Sequence, residues 1–180
     1  MWFTLPHATP PPAPPEFDAV YRAHVGAVWR ALSGLGVRGA DVHDACQEVF
    51  VVVHRRLPEF DGRHKVGTWI HAICVNVARA WRRRASKREA LSDDVDALVS
   101  NDDPERALAA RESADALRRL LDVLDDDKRA VFVLYEVGEM SMREVAEALD
   151  CPLQTAYSRY HAARKLLDRA LERRGGKAPP

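Results

Sequence analysis

The sequence of 180 residues lacks the features that mark several protein classes. It contains no apolar run of the roughly 18 to 20 residues that a membrane span needs, and its N-terminus lacks the basic start and apolar stretch of a signal peptide. Its three cysteines, Cys46, Cys74 and Cys151, form no Cys-x-x-Cys pair, so they indicate neither a disulfide framework nor a zinc ribbon. These absences predict a cytoplasmic protein with reduced thiols.

Motifs of common enzyme classes are also missing. The sequence has no Gly-rich phosphate loop, no Gly-x-Ser-x-Gly and no His-Glu-x-x-His, and many of its carboxylates cluster in one connecting segment. We therefore expect no catalysis and no cofactor. His43 with Cys46, and His71 with Cys74, have a spacing found in metal sites. Because both cysteines lie on apolar stripes, where free cysteine packs as a small hydrophobe, we predict no metal site.

The net charge of zero conceals a strong segregation along the chain. Residues 1–88 carry 13 basic and 7 acidic side chains (+6), residues 89–127 carry 4 and 13 (−9), and residues 128–180 carry 10 and 7 (+3). Two basic modules joined by an acidic connector indicate two surfaces that meet a polyanion and a linker that the polyanion repels. Solvated faces of ordinary helices are the alternative explanation.

Hydrophobic periodicity predicts an all-α fold of two small helical domains joined by a flexible acidic linker. A proline-rich stretch at residues 1–15 lacks backbone donors and predicts a disordered tail. The first domain is predicted at 16–88, the linker at 89–112 and the second domain at 113–174. Residues 175–180 are predicted to be a second disordered tail.

Three helices are predicted in the first domain. Gly-rich residues 35–40 end the first helix, and Asp41 is placed to cap the second, which runs to Pro58. The run Val49–Val53 could be a strand, but its apolar stripe extends beyond a strand's length in both directions, which favours a helix. The third helix begins near Thr68 and ends as a basic rod. Its predicted inward side chains are Trp69, Ile70, Ile73, Cys74, Val77 and Trp81.

In the second domain, helix is predicted to resume near Glu105, with Gly138 as a C-cap further along the chain. The predicted inward side chains of this region are Leu117, Leu120, Leu121, Leu124, Val131, Leu134 and Tyr135.

A helix-turn-helix is predicted at the C-terminal end, from Ser141 to about Leu167. Ser141 can cap a helix while Glu144 reaches back in a capping box, and Asp150–Pro152 breaks that helix before a second one. The outward face of the second helix is narrow enough to enter a DNA groove, and the arginines beside it are placed to contact phosphates. A plain helical hairpin inside a bundle is the alternative. The outward residues are Gln154, Tyr157, Ser158, His161 and Lys165, flanked by Arg159 and Arg164.

Together these residues resemble the sigma factors of RNA polymerase, in the short extracytoplasmic-function (ECF) group of the sigma-70 family, over most of the chain. The resemblance implies a subunit that binds core RNA polymerase, reads the minus-thirty-five and minus-ten promoter elements and assists strand opening. The stretch Asp-Ala-Cys-Gln-Glu-Val-Phe at 44–50 resembles the segment that docks on the polymerase clamp. Its exposed acidic and amide groups suit a basic partner, although capping is an alternative role for Asp44. The implied polymerase contacts are Asp44, Gln47, Glu48, Val51 and Arg55.

The helix from Thr68 to Arg84 resembles the family's promoter-melting and minus-ten-reading helix. The resemblance implies that Phe60 and Asn76 help to form a pocket for a base flipped from the non-template strand, and that loop 61–67 shapes its specificity. Arginines on the helix would neutralise phosphates. The implied minus-ten residues are Phe60, Asp61, Gly62, Arg63, Lys65, Asn76, Arg79, Arg82 and Arg83.

The helix-turn-helix resembles the family's minus-thirty-five-reading unit. It departs from the usual pattern at Ala156, Tyr157 and Ala162, which replace a valine, a basic residue and an arginine. Fewer cations should weaken phosphate or guanine contacts, so we expect an unusual minus-thirty-five sequence. The implied contact residues are Gln154, Thr155, Tyr157, Ser158, Arg159, His161, Arg164 and Lys165.

The implied partners are core RNA polymerase and promoter DNA, both duplex and non-template single strand. The group's members are often silenced by an anti-sigma factor, which the resemblance adds as a candidate partner. The alternative function is an independent transcription regulator that binds duplex DNA as a dimer. A regulator would bind a palindromic operator tightly without polymerase, whereas a sigma factor would bind promoter DNA weakly on its own.

Overall fold

The computed structural model describes residues 15–89, 116–117 and 119–175, and within these ranges the chain is helical with no strand. The all-α prediction is confirmed. The predicted helix start at Glu105, most of both predicted tails and nearly all of the predicted linker lie outside the described residues. The helices are α1 (Phe17–Gly34), α2 (Val42–Arg56), α3 (Val66–Glu89), α4 (Asp126–Glu136), α5 (Met142–Ala148) and α6 (Leu153–Gly175).

The N-terminal half is built from α1, α2 and α3, which pack on one another around aliphatic side chains. The run Val49–Val53 is helical, so the strand alternative is wrong; Val49 and Val53 lie on successive turns of α2 and are completely buried. Leu57–Glu59 then forms a 3-10 turn that contains Pro58. None of these three helices is long and apolar enough to cross a membrane, and neither is any other in the described ranges.

Asp41 does not cap α2, contrary to the sequence prediction. It lies in the 3-10 turn Gly39–Asp41 with helical backbone angles (φ −81°, ψ −14°), and its side chain makes no capping hydrogen bond. The two amides of the turn, those of Asp41 and Val42, both donate to the carbonyl of Arg38, and this holds Asp41 in a helical conformation instead of the extended one that a capping residue adopts. The Asp41 carboxylate instead accepts a hydrogen bond from Arg88 at 2.8 Å.

Helix α4 has caps of two different kinds. At its start the Asp125 side chain accepts a hydrogen bond from the Lys128 amide at 2.9 Å. After its end, Gly138 is required by close approach, because a Cβ there would lie 2.6 Å from the carbonyl oxygen of Leu134. The left-handed residue is Glu139 (φ 52°) rather than the predicted Gly138.

The helix-turn-helix consists of α5 and α6. The capping box is confirmed, since the Ser141 amide donates to the Glu144 carboxylate at 2.8 Å and the Glu144 amide donates to the Ser141 hydroxyl at 3.3 Å. The turn passes through Asp150 in a left-handed conformation (φ 47°). Two predicted inward side chains are exposed: Leu117 (51%) lies one turn before the buried Leu121, and Tyr135 (37%) lies against the ring of Tyr160.

The two halves pack on each other through a junction that the sequence did not predict. Gly34 of α1 lies against Val133 of α4 so closely that a Cβ on the glycine would come within 2.9 Å of the valine Cγ1. Arg129 is only 1% exposed and donates to Asp122 at 2.7 Å. Gly36, with φ +90°, lies beside it, and any Cβ there would collide with the Arg129 guanidinium. The absence of a side chain at Gly34 and Gly36 of the N-terminal half therefore leaves the space that Val133 and Arg129 of the C-terminal half occupy.

Candidate nucleic-acid interface

The predicted flipped-base residues lie along one side of α3. The Phe60 ring is half-buried against Trp69, with centroids 5.3 Å apart at 46°. Asn76 is exposed and follows Trp69 by seven residues, which is about two helical turns or roughly 10 Å along the axis. Trp69 and Asn76 thus share a side of α3, and Phe60, which precedes the helix, packs against Trp69. Trp69 is half-buried rather than fully internal, and its ring contacts that of Phe60.

The loop before α3 is held in shape by Asp61. Its carboxylate accepts a hydrogen bond from the Arg63 amide at 3.0 Å and lies 3.1 Å from the Arg63 Nε. Gly62 between them has φ +70°, a conformation that favours glycine. The sequence nominated all three residues for DNA contact, and the structure additionally makes Asp61 and Gly62 the residues that shape the loop.

Three predicted minus-ten cations are engaged by carboxylates of the C-terminal half. Arg79 donates to Asp127 at 2.7 Å, Arg82 donates to Asp126, and the Lys65 ammonium lies 2.7 Å from Glu144. Arg83, by contrast, is exposed. The two arginine pairs were missed because the acidic run at 125–127 was counted only as connector charge, and the Lys65 pair was missed because Glu144 was interpreted only as part of the capping box.

The contacts between the two halves shift the pKa values of the paired side chains. Hydrogen bonds from Lys65, and secondarily from Ser141, lower the pKa of Glu144 to about 2. The same contact raises the pKa of Lys65. Burial, followed by the charge of nearby Arg129, lowers the pKa of Arg82, although its carboxylate neighbours act in the opposite sense.

The predicted polymerase-binding face of α2 is largely open. Asp44, Gln47, Val51 and Arg55 are exposed, and Val51 exposes 48% of its surface, which is high for an aliphatic side chain. Glu48 was expected on the same exposed face but is half-buried. Its carboxylate accepts hydrogen bonds from side chains of α3 that lie more than 30 residues away, too far along the chain for a helical period to reveal. The donors are the Trp81 indole at 2.8 Å and Arg84 at 3.2 Å.

The outward face of α6 carries the predicted minus-thirty-five residues. Gln154, Tyr157, Ser158, His161 and Lys165 are all exposed. The Tyr157 and His161 rings are nearly parallel, with centroids 6.5 Å apart at 18°. This places a flat aromatic pair where the family pattern has a basic residue.

The flanking residues of α6 are less free. Arg159 lies 2.6 Å from Asp127, and Arg164 lies 3.7 Å from Glu136. Thr155 is half-buried, and its carbonyl accepts a hydrogen bond from the Ser158 hydroxyl at 2.9 Å. The open part of the helix is therefore its central aromatic and polar edge.

Three of the four side chains in the His-Cys pairs noted in the sequence are packed into the helical core, whereas His43 is exposed. Cys46 and Cys74 are buried, and burial raises the pKa of both thiols. His71 lies 2.7 Å through Nδ1 from the carbonyl of Gly67, and burial lowers its pKa. Among the residues that the structure describes, no group of three or more His, Cys, Asp or Glu side chains could hold a metal ion.

Comparison with known proteins gives two family matches that together cover most of the chain. Residues 20–88 match the model for sigma-70 region 2, and residues 114–167 match the model for sigma-70, region 4. Two solved structures are similar in fold, each with a TM-score of 0.68. CnrH in complex with the cytosolic domain of CnrY is 25% identical and covers 87% of both chains. The sigma factor RpoE in complex with the anti-sigma factor NepR from Bartonella quintana is 18% identical and covers 87% of this chain and 96% of that one.

Curated relatives agree with these matches. The ECF RNA polymerase sigma-E factor of Escherichia coli K12 is 30% identical over an alignment of 147 residues, and the match covers 76% of each chain. The RNA polymerase sigma-H factor of Pseudomonas aeruginosa is 29% identical over 142 residues, covering 73% of this chain and 74% of that one. The chain therefore belongs to the ECF group of the sigma-70 family, the non-catalytic subunits that direct RNA polymerase to begin transcription at specific promoters.

Proposed function

We propose that this sigma factor reads the minus-ten element with α3 and its preceding loop, and the minus-thirty-five element with α6. The predicted boundaries go with this proposal: one DNA-contacting domain at 16–88 and a second at 113–174, joined by the linker at 89–112. The observation that carries it is the exposed Asn76 amide on a basic helix, two turns from the Phe60–Trp69 ring pair. Aromatic stacking combined with edge hydrogen bonds is how proteins read unpaired bases.

Each group on the minus-ten side has a distinct task in this proposal. Phe60, supported by Trp69, stacks on a flipped base, while the Asn76 amide bonds to its edge. Arg63 and the cations Lys65, Arg79, Arg82 and Arg83 contact phosphates, which adds affinity but little sequence information. Asp61 and Gly62 hold the loop in the shape that admits the base.

Polymerase docking is assigned to α2. Asp44, Gln47, Val51 and Arg55 present an acidic, an amide, an apolar and a basic group on one exposed surface. Glu48 has a different role, because its carboxylate already accepts hydrogen bonds from Trp81 and Arg84. We assign it to fixing α3 against α2, so that polymerase docking orients the DNA-reading helix.

On the minus-thirty-five side, the stacked Tyr157 and His161 rings replace a usual cation with a flat, partly apolar edge. Such an edge suits thymine methyl groups better than guanine acceptors. Gln154, Ser158 and Lys165 supply polar contacts on the same face, and Thr155, Arg159 and Arg164 flank it.

Run-off transcription with purified core polymerase tests the assignment. Adding the chain to core enzyme should direct initiation from its own promoters, whereas the chain alone should bind duplex promoter DNA weakly. An Asp44→Arg, Gln47→Arg double variant should lose core binding, while Glu59→Gln, an exposed change outside the proposed surface, should keep it. Failure to co-purify with core polymerase, or tight palindromic operator binding without it, would instead favour the dimeric regulator.

We also propose a cytoplasmic location and regulation by an anti-sigma factor. One structurally similar sigma factor, RpoE of Bartonella quintana, was solved with its anti-sigma factor NepR. The exposed Val51 and the aromatic Tyr21 next to α2 are surfaces that such a partner could cover.

A further inference from the structure

One carboxylate joins the two DNA-contacting surfaces. Arg79 of α3 lies 2.7 Å from Asp127 Oδ1, and Arg159 of α6 lies 2.6 Å from Asp127 Oδ2. Two guanidinium groups on one carboxylate are within roughly 8 Å of each other. The minus-ten and minus-thirty-five elements are about 25 base pairs apart, or about 85 Å along a duplex. In this conformation the chain cannot place both arginines on their elements.

Further pairs close the same contact. Arg82 donates to Asp126, Lys65 lies 2.7 Å from Glu144, and His64 lies 3.1 Å from Glu147. All these acidic partners belong to the C-terminal half, and all these basic partners belong to α3 or the loop before it. Pairing leaves the Arg79 and Arg82 side chains only 34% and 29% exposed. Side chains proposed to neutralise minus-ten phosphates are therefore occupied by carboxylates.

The contact does not cover every functional surface. The central edge of α6, with Tyr157 and His161, stays exposed, as does the α2 face with Gln47 and Val51. Polymerase could thus dock on the closed chain, and the minus-thirty-five edge would stay partly accessible. What the closed chain withholds is the set of paired minus-ten cations, Lys65, Arg79 and Arg82, while Asn76 and Arg83 stay exposed.

We infer that the acidic first turn of α4, Asp126 with Asp127, acts as an internal substitute for phosphate that keeps the free chain off the non-template strand. Carboxylate oxygens accept the same paired hydrogen bonds from guanidinium that phosphate oxygens accept. Glu144 and Glu147 extend this contact to the loop before α3. The inference rests on the proposed function, because it assigns a regulator to the same minus-ten surface.

The strength of this contact suits a reversible device. Ion pairs that solvent still reaches contribute little individually, and salt screens them. Several such pairs, together with the Gly34–Val133 contact, can hold the halves together without preventing separation. If only open molecules bind the single strand, the apparent affinity equals the affinity of the open form multiplied by the fraction of molecules that are open. A population that is nine-tenths closed therefore binds the strand about tenfold more weakly than a fully open one.

The test compares an Asp126→Asn, Asp127→Asn double variant of the full chain with the unmodified protein. The probes are a fluorescent single strand and a fluorescent duplex of randomised sequence, since phosphate contacts are not sequence-specific. We expect single-strand affinity to rise about tenfold and duplex affinity to rise much less. Adding Arg79→Ala and Arg82→Ala should abolish the gain. Small-angle scattering should show a larger radius of gyration for the double variant.

An Asp168→Asn, Glu172→Gln variant is the matched control, because it removes two negative charges from the same half at exposed positions of α6. An equal gain in this control, or an unchanged strand affinity in a double variant that scattering shows to be open, would overturn the inference. Should the double variant fail to fold, the unmodified chain must still expand as salt is raised, and a constant radius would count against the contact. Run-off transcription by the unmodified chain with core polymerase tests the proposed function separately.

Discussion

The two halves of this sigma factor present their proposed DNA-contacting side chains in opposite ways. On the N-terminal half, Arg79 and Arg82 are half-buried and paired with acids from the other half. On the C-terminal half, the Tyr157 and His161 edge of α6 is open. The difference teaches that charge counted along a sequence does not reveal which cations are available, because an acidic turn of one half can occupy the basic surface of the other.

Breaking the junction between the halves should have the largest effect. Gly36→Ala places a Cβ at φ +90° against the buried guanidinium of Arg129, so strain and displacement act together. We expect the free energy of unfolding to fall by about 3 kcal/mol, measured by urea denaturation. Gly39→Ala is the control, since a Cβ there meets nothing within 4 Å. Equal midpoints for the two variants would contradict the close packing at the junction.

The functional contrast between the halves is tested by Asn76→Ala and His161→Ala. Loss of the Asn76 amide should reduce strand opening by about tenfold with core binding unchanged, because edge contacts to one unpaired base are lost. His161→Ala should weaken binding to the minus-thirty-five duplex by less and leave opening of bound promoter intact. Permanganate footprinting measures the opening. A normal bubble with the Asn76 variant would refute its assignment.

Serine side chains of the two halves make different hydrogen bonds to the backbone, and replacing them should change stability by less than the junction variant does. Ser141 accepts the Glu144 amide at the start of α5, so Ser141→Ala should lower the free energy of unfolding by about 1 kcal/mol. Ser33 of α1 only bonds back to the Trp29 carbonyl within its helix, and Ser33→Ala should change stability by less than about 0.5 kcal/mol. Thermal denaturation of both variants measures the difference, and a larger loss at Ser33 would reverse the comparison.

The smallest expected effect is a pH dependence carried by Glu144. Its pKa is about 2 in the folded chain against an ordinary value of 4.5, so the carboxylate stabilises the fold above pH 4.5. This contribution is lost as the pH falls from 4.5 towards 2, when Glu144 becomes protonated and releases Lys65 and Ser141. Glu144→Gln should flatten the stability curve in this window. A curve for the variant that runs parallel to that of the unmodified protein would contradict the assignment.

Much of the helical structure was predictable because it depends on neighbours in sequence. The apolar period of α2, the Ser141–Glu144 box and the break at Asp150–Pro152 all act within a few residues. Errors arose where local alternatives competed. Asp41 was predicted to cap α2, but the 3-10 turn gives it helical rather than extended backbone angles. Gly138 is needed for space, while Glu139 takes the left-handed conformation.

For the candidate site, the sequence resemblance supplied the candidate residues, and the structure separates those that are exposed from those that are bonded to other parts of the chain. Asn76, Tyr157 and Val51 are exposed, as DNA or polymerase contacts require. Glu48 is instead tied to α3 by Trp81, a contact that no helical period encodes. Such pairings join residues tens of positions apart, so they depend on how helices pack.

By itself, the sequence determined the helical composition, the helix-turn-helix and the family, because each depends on short-range pattern or on residue identity. Only the tertiary structure decided that the halves share a junction and that Asp127 contacts Arg79 and Arg159 together. The physical reason is that burial and ion pairing depend on three-dimensional proximity. Gly34 and Gly36 allow the backbone of one half to approach Val133 and Arg129 of the other, and that approach brings the acidic turn onto the basic helix.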